Sequence, residues 1–314
     1  MVREWLGFAA DGDGDHWLLM VLKRGANTHW VAKQLGRLAG VHPRDIGFAG
    51  LKDRNAVTEQ AFSVPVRSAV SNWLGVCGEG FEVVGAVRHR RKLKRGALRG
   101  NEFEILVREF AGDAAVLAQR LTDMAAKGVP NYFGPQRFGL DDGNLERARQ
   151  WFGGQLELAD RTERGFALSA ARAAIFNAVL AQRVVQGTWN RLQSGDVANL
   201  NGSNSVFQVD GPDASLEERC AGLDIHPTGP LWGSGSLMSR NEIAVLEQAA
   251  AACYPGFSAG LSKAGLEQER RALRMPVSDL KWNLQGSELR LRFRLPRGSF
   301  ATVVLQELVG DPRC

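Results

Sequence analysis

Cysteine is scarce: the 314 residues hold four, Cys77, Cys220, Cys253 and Cys314, scattered along the chain. None forms a Cys-x-x-Cys pair, and no histidine lies at zinc-ligand spacing. A disulfide frame and a structural zinc site are therefore excluded, and the pattern fits thiols kept reduced in the cytoplasm. The five histidines, His16, His29, His42, His89 and His226, make no metal pattern either. No serine sits in a nucleophile elbow. Gly233-Ser234-Gly235 lacks the third glycine and the strand-to-helix setting of a dinucleotide site. No apolar run continues for the roughly eighteen residues of a bilayer span. Met1-Val2-Arg3-Glu4-Trp5 lacks the build of a secretion signal. With 44% hydrophobic and 23% charged residues, neither wholesale disorder nor a fibre is expected. The expectation is a soluble cytoplasmic chain of one large or two ordinary domains, with no cofactor, metal, membrane contact or obligate protein partner.

What is present is a concentrated positive charge. Arg88, Arg90, Arg91, Lys92, Lys94, Arg95 and Arg99 fall within twelve residues that contain no acid. Without those seven of the 39 cations, the remainder falls two short of the 34 acids. One basic element on a near-neutral body attracts a polyanion, and neutralising phosphates releases counterions. A solvated basic loop is the alternative. The interleaved His89, Gly96 and Gly100, between two strand-like segments, favour a phosphate-contacting loop. Leu289, Leu291, Phe293 and Leu295 alternate with Arg290, Arg292 and Arg294, a strand with an apolar and a cationic face. Nucleic acid is the expected partner.

The pattern along the chain is strand-rich at both ends and helical in the middle. Strands are expected over His16–Leu22, through Val57 and Phe62, over Phe81–Val87 and Phe103–Val107, and again after Met275-Pro276. Helices are expected from Thr28 as cap to Gly40, and from Asp113 as cap to Gly128. Others run from about Ser169 to Val185, over Glu242–Cys253 and Leu266–Leu273, and from Ser299 through Leu308 to a stop at Gly310 and Pro312. An α+β core with an inserted domain follows. Asp11-Gly12-Asp13-Gly14-Asp15 resembles a calcium loop but has His16 and Leu22 where such a loop needs glycine and an acid, so it reads as an acidic turn.

Three positions carry double readings. Asp53 sits in a tight polar turn between Lys52 and Arg54. Flanking cations favour its charged form, as a nucleophile or base needs, but the residues alone favour a turn aspartate paired with its neighbours. Asn101 and Phe103, two apart at a strand start, share one face. Phe103 and Phe300 are either core or platforms for an unstacked base.

Longer blocks resolve much of this. Gly47-Phe48-Ala49-Gly50-Leu51-Lys52-Asp53-Arg54-Asn55-Ala56-Val57-Thr58-Glu59-Gln60 resembles the signature of the TruD-type tRNA pseudouridine synthases. So do the blocks His89-x-x-Lys92-Leu93 through Asn101-x-Phe103, Val129-Pro130-Asn131-Tyr132-Phe133-Gly134-x-Gln136-Arg137-Phe138-Gly139, and Ser169-Ala170-Ala171-Arg172 with Phe176-Asn177. Gly229-Pro230-Leu231-x-Gly233 and Leu295-Pro296-x-Gly298-Ser299-Phe300-Ala301-Thr302 complete the series in the family's order. The resemblance implies a pseudouridine synthase core of mixed sheet and helices over residues 1–127 and 276–314, with a TruD insertion domain over 128–275. It implies isomerisation of uridine 13 in the D arm of tRNA, without cofactor or metal. Asp53 would be the catalytic carboxylate, as nucleophile or as base. Phe103 would stack on the flipped base, Asn101 and Phe300 would contact substrate, and Lys52 would help keep Asp53 ionised. Lys52, His89, Lys92, Lys94 and Arg95 would contact RNA. Family members carry a further N-terminal segment with a Pro-x-Asp-Phe motif, and this chain aligns just after it. Loss of that segment would remove an edge strand and a wall of the base pocket. The alternative function is therefore a catalytically weak RNA-binding protein or tRNA folding helper of the same fold.

Overall fold

The structure, a computed structural model, describes residues 1–309. From the N-terminus run β1 (Val2–Trp5), β2 (His16–Lys23), α1 (Thr28–Ala39), β3 (Gly47–Phe48), β4 (Thr58–Pro65), β5 (Cys77–Gly78), β6 (Phe81–His89) and β7 (Gly100–Val107). There follow α2 (Ala114–Lys127), β8 (Val129–Pro130), α3 (Gly143–Phe152), α4 (Arg161–Val185), β9 (Val197–Leu200), β10 (Val206–Gln208), α5 (Ala214–Ala221) and β11 (Ile225–Leu231). The remainder is α6 (Asn241–Ala252), α7 (Pro255–Lys263), β12 (Glu269–Ala272), β13 (Arg274–Met275), β14 (Ser278–Gln285), β15 (Glu288–Pro296) and α8 (Ala301–Val309). The expected α+β class is what the chain adopts. The proposed stop at Gly310 and Pro312 lies outside the described residues, as does Cys314.

Two compact units result, one from Met1–Ala114 and Ser278–Ser299, the other from Ala115–Val277 and residues 300–309. The first is built on a nine-stranded sheet in the order β14-β15-β7-β1-β4-β2-β6-β5, with β3 added beside β4. Only β1 and β4 run parallel; the other pairs are antiparallel. Leu19, Val21, Phe62, Val64 and Val83 on one sheet face bury Val31, Ala32, Leu35 and Ala39 of α1. Leu38, three residues on from Leu35, falls off that stripe and is exposed. The cap of α1 is also one residue earlier than expected. Asn27 accepts from Trp30 N, while Thr28 is buried and its hydroxyl bonds Gln60. Gly40 closes the helix with φ 68°, a conformation glycine adopts without strain.

In β15 the alternation holds: Leu289, Leu291, Phe293 and Leu295 are buried. Its cationic face, however, is largely neutralised within the unit. Arg292 and Arg294 lie 2.9 and 3.2 Å from the Glu102 carboxylate, and Arg294 also pairs with Asp279. Burial raises the Glu102 pKa, but the two arginines outweigh it and hold the carboxyl below its ordinary value. That stripe adds little to the attraction of a polyanion.

In the second unit, α4 begins eight residues before Ser169, capped by Asp160, which accepts from Thr162 N and Glu163 N. It is long and apolar enough to cross a membrane by composition, yet half of that window is buried in the unit. A four-stranded sheet, β10-β9-β11-β12, packs beside it. The helix expected over Leu266–Leu273 is β12, paired antiparallel with β11 from Thr228↔Ala272 to Leu231↔Glu269. Tertiary pairing overrides the helix propensity of its Glu, Arg and Ala residues. The actual helix, α7, starts earlier at Pro255, a residue preorganised for a first turn.

His226 is 1% exposed, and its Nδ1 accepts from Arg274 Nε at 3.1 Å. Burial, reinforced by the Arg274 charge, brings its pKa from 6.5 down to about 4. Between those values the unfolded chain binds a proton that the folded one refuses. The stabilisation is full above pH 6.5 and is lost as pH falls through about 4. It amounts to about 3 kcal/mol at most. Urea unfolding of His226→Gln should therefore depend less on pH across this window than that of the parent; parallel curves would refute the assignment.

Candidate functional site

Asp53 lies on the loop between β3 and β4, exposed, with its Oδ1 accepting from Asn55 N at 2.9 Å. That is an Asx turn, closed by the aspartate's own carboxylate. Beneath it the backbone is held by Lys23, whose buried ammonium donates to Ala26 O (2.9 Å), Asp53 O (3.0 Å) and Lys52 O (3.4 Å). Burial lowers the pKa of Lys23, with the Asp53 carboxylate partly opposing that shift. Thr28 adds a further tie, its hydroxyl accepting from Lys52 N at 3.0 Å.

Lys52 does not turn toward Asp53 for its ion pair. Its Nζ meets Glu4 Oε1 at 2.6 Å, with side-chain exposures of 7% and 0%. Glu4 also accepts from Gln60 Nε2 at 3.4 Å and Ala61 N at 3.0 Å, and Gln60 in turn bonds Gly50 O and Thr28. The result is a buried polar network, Glu4–Lys52–Gln60–Thr28, that fixes both ends of the Asp53 loop. Lys52 is thus spent inside the unit and is not a free phosphate contact.

Register carries the site across the sheet. In the antiparallel β1/β7 pair Glu4 opposes Asn101 and Val2 opposes Phe103, so Asn101 and Phe103 share the face that carries Glu4. The Asn101 Oδ1 is buried without a hydrogen-bond partner, an acceptor left open. Phe103 is half-buried and stacks on Phe293, ring centres 5.6 Å apart at 25°. Phe300, also half-buried, precedes α8 in the second unit.

The basic loop is sorted by its contacts. Arg90 pairs with Asp13 at 2.9 Å, and this bond, reinforced by the charges around it, holds Asp13 below its ordinary pKa. His89 Nδ1 is 2.7 Å from Asp11, and its ring stacks on Phe8. The acidic turn is therefore the counter-charge of the basic loop, and His89, 8% exposed, is held inside. Arg88 and Arg99 lie over Trp17 and Trp5. Arg91, Lys92, Lys94 and Arg95 remain exposed. Gly96 N donates to Ala49 O at 2.7 Å, tying this loop to the strand end that leads into Asp53.

Beside these cations lies a groove of about 390 Å³, lined by His29, Arg44, Phe48, Lys92 and Arg95 among others. Arg95 lies over the Phe48 ring at 5.3 Å and His29 meets it edge-on at 5.4 Å. An aromatic floor with a cationic rim suits an unstacked base and its phosphate. Sequence reasoning missed Glu4, Lys23, Gln60, Phe48 and Arg44, and named His29 only among histidines that make no metal pattern. The available signal was Lys23, a charge closing the apolar run of β2.

A sequence model of TruD, described as tRNA pseudouridine synthase D, matches residues 1–151 and 143–308. The chain belongs to the TruD family. It is 44% identical over 312 residues to the tRNA pseudouridine synthase D of Nitrosococcus oceani, covering 98% of this chain and 87% of that one. It is 46% identical over 315 residues to that of Methylococcus capsulatus, covering 99% and 89%. The fold is that of a solved TruD structure from Methanosarcina mazei, with a TM-score of 0.74 at 21% identity over 98% of this chain and 90% of that one.

Proposed function

We propose that this TruD chain isomerises uridine to pseudouridine in tRNA, with uridine 13 of the D arm as its target. Asp53 is the catalytic carboxylate, acting at the sugar or as the base that starts cleavage of the bond between N1 and C1′. The detached uracil turns, C5 rejoins C1′, and the C5 proton leaves. Phe103 stacks on the flipped base and Asn101 accepts a hydrogen bond from it. The observation that carries this reading is the exposed Asp53 carboxylate on a loop locked from below by Lys23 and by the Glu4–Lys52 pair. A preorganised carboxylate is what a substrate brought in from outside requires.

Tritium release from tRNA labelled at uracil C5 tests it directly. Release that stops when the target uridine is replaced is the expected outcome. Binding of tRNA without release would instead favour a folding helper.

Lys92, Lys94 and Arg95 supply the exposed phosphate contacts. Changing all three to alanine should flatten the salt dependence of tRNA binding, lowering the slope of log K against log salt by about three. An unchanged slope would return the loop to an ordinary solvated surface.

A further inference from the structure

The second unit treats positive charge in two ways. Arg183 and Arg270 meet carboxylates, at 2.8 Å from Asp196 and 2.7 Å from Glu247, in pairs almost wholly withdrawn from water. Charge removed from water normally requires such partners. Arg137 and Arg271 lack them among the described residues. Their guanidinium carbons lie 5.2 and 4.1 Å from the centre of the same ring, Phe133. Neutral groups orient them: Arg137 Nη1 donates to Ser169 Oγ at 2.8 Å, and Arg271 Nη2 to Asn131 Oδ1 at 2.7 Å. The Nε of each is buried without a hydrogen-bond partner. Burial, and then the charge of Arg137, bring Arg271 down to about 10, so it remains a cation at neutral pH. Two like charges share one aromatic ring, and no acid among the described residues pairs with either.

We propose that Arg137 and Arg271 form a phosphate site in the second unit, occupied by a backbone phosphodiester of bound RNA. Guanidinium groups match phosphate oxygens in geometry and charge. Phe133 holds both cations against its ring, and Asn131 and Ser169 set their orientation before a ligand arrives. The Asn131–Gly139 loop and the Ser169 turn of α4 thereby acquire a shared purpose. The choice of RNA rests on the tRNA reading above; the anion site itself does not.

Arg271→Met and Arg137→Gln in the full chain test this, alongside tritium release by the parent. Each should lower the salt slope of tRNA binding by about one. Arg271→Met should melt no lower than the parent in phosphate-free buffer, because it removes an unbalanced charge. Inorganic phosphate at constant ionic strength should raise the melting temperature of the parent and not of the variants. A lower melting temperature for Arg271→Met with an unchanged slope would make Arg271 a packing residue and overturn the proposal. If Arg271→Met fails to fold, the half-buried Arg137→Gln gives the same slope reading, and an unchanged slope there is equally fatal. A lost phosphate response with an unchanged tRNA slope would overturn RNA as the occupant. Reduced slopes without tritium release by the parent would uphold the phosphate site while sinking the synthase reading.

Discussion

Asp53→Asn is expected to lower tritium release from tRNA by roughly 10²–10⁴-fold or more, the scale on which a positioned acid or base contributes, while tRNA affinity stays within about twofold. The substitution is nearly isosteric and removes only the ability to ionise. The Asx turn survives, because the side-chain oxygen that accepts from Asn55 N is still present. Lys23 donates to the backbone carbonyl of residue 53, not to its side chain, so that hydrogen bond survives, and Lys23 loses only the partly compensating Asp53 charge. Stability should therefore move by no more than about 0.5 kcal/mol, the usual scale for surface changes. Single-turnover release and equilibrium binding, measured on one preparation, separate chemistry from recognition. Turnover close to the parent's would remove Asp53 from the mechanism whichever role is assigned to it.

What the sequence disclosed about this site was local, and what it concealed was pairing. The alternation of leucine and arginine in β15 and the helical spacing of Val31 and Leu35 are short-range patterns that survive folding. The position of Asp53 was legible through the motif around it. The destination of each charge was not. Arg90 finds Asp13, Arg292 and Arg294 find Glu102, and Lys52 finds Glu4, all across long separations in the chain. Those pairings depend on which strands become neighbours, and β1 lies between β7 and β4 although 50 residues or more separate it from either. For the same reason the seven-cation run looked like one uniform patch. Folding divides it into Arg90, paired with the acidic turn, Arg88 and Arg99, laid over tryptophans, and the exposed Arg91, Lys92, Lys94 and Arg95. The misread Leu266–Leu273 segment shows the same limit, since a weak helix propensity yields to a partner strand that sequence order does not reveal.

Glu4→Ala should be the most destabilising single change at the site, by about 3–5 kcal/mol, because it leaves a buried cation without its partner. The Lys52 ammonium, 7% exposed, would lose its carboxylate, and Ala61 N would lose its acceptor. Gln60 would keep Gly50 O and so tether one end of the loop. Pairing Glu4→Gln with Lys52→Met removes both charges while leaving an amide oxygen for Ala61 N. Replacing a buried pair as a unit costs far less than breaking it, so the double variant should return to within about 1–2 kcal/mol of the parent. This pair of experiments also decides how Lys52 serves Asp53. The geometry assigns it to the loop's scaffold, its charge matched to Glu4. Turnover should then fall in Glu4→Ala and recover in the double variant together with stability, and the acid limb of the kcat profile should stay in place. If Lys52 were the counter-ion of Asp53, the double variant would regain stability, but its acid limb would move to higher pH. Urea unfolding and the pH profile of tritium release, taken together, separate the two.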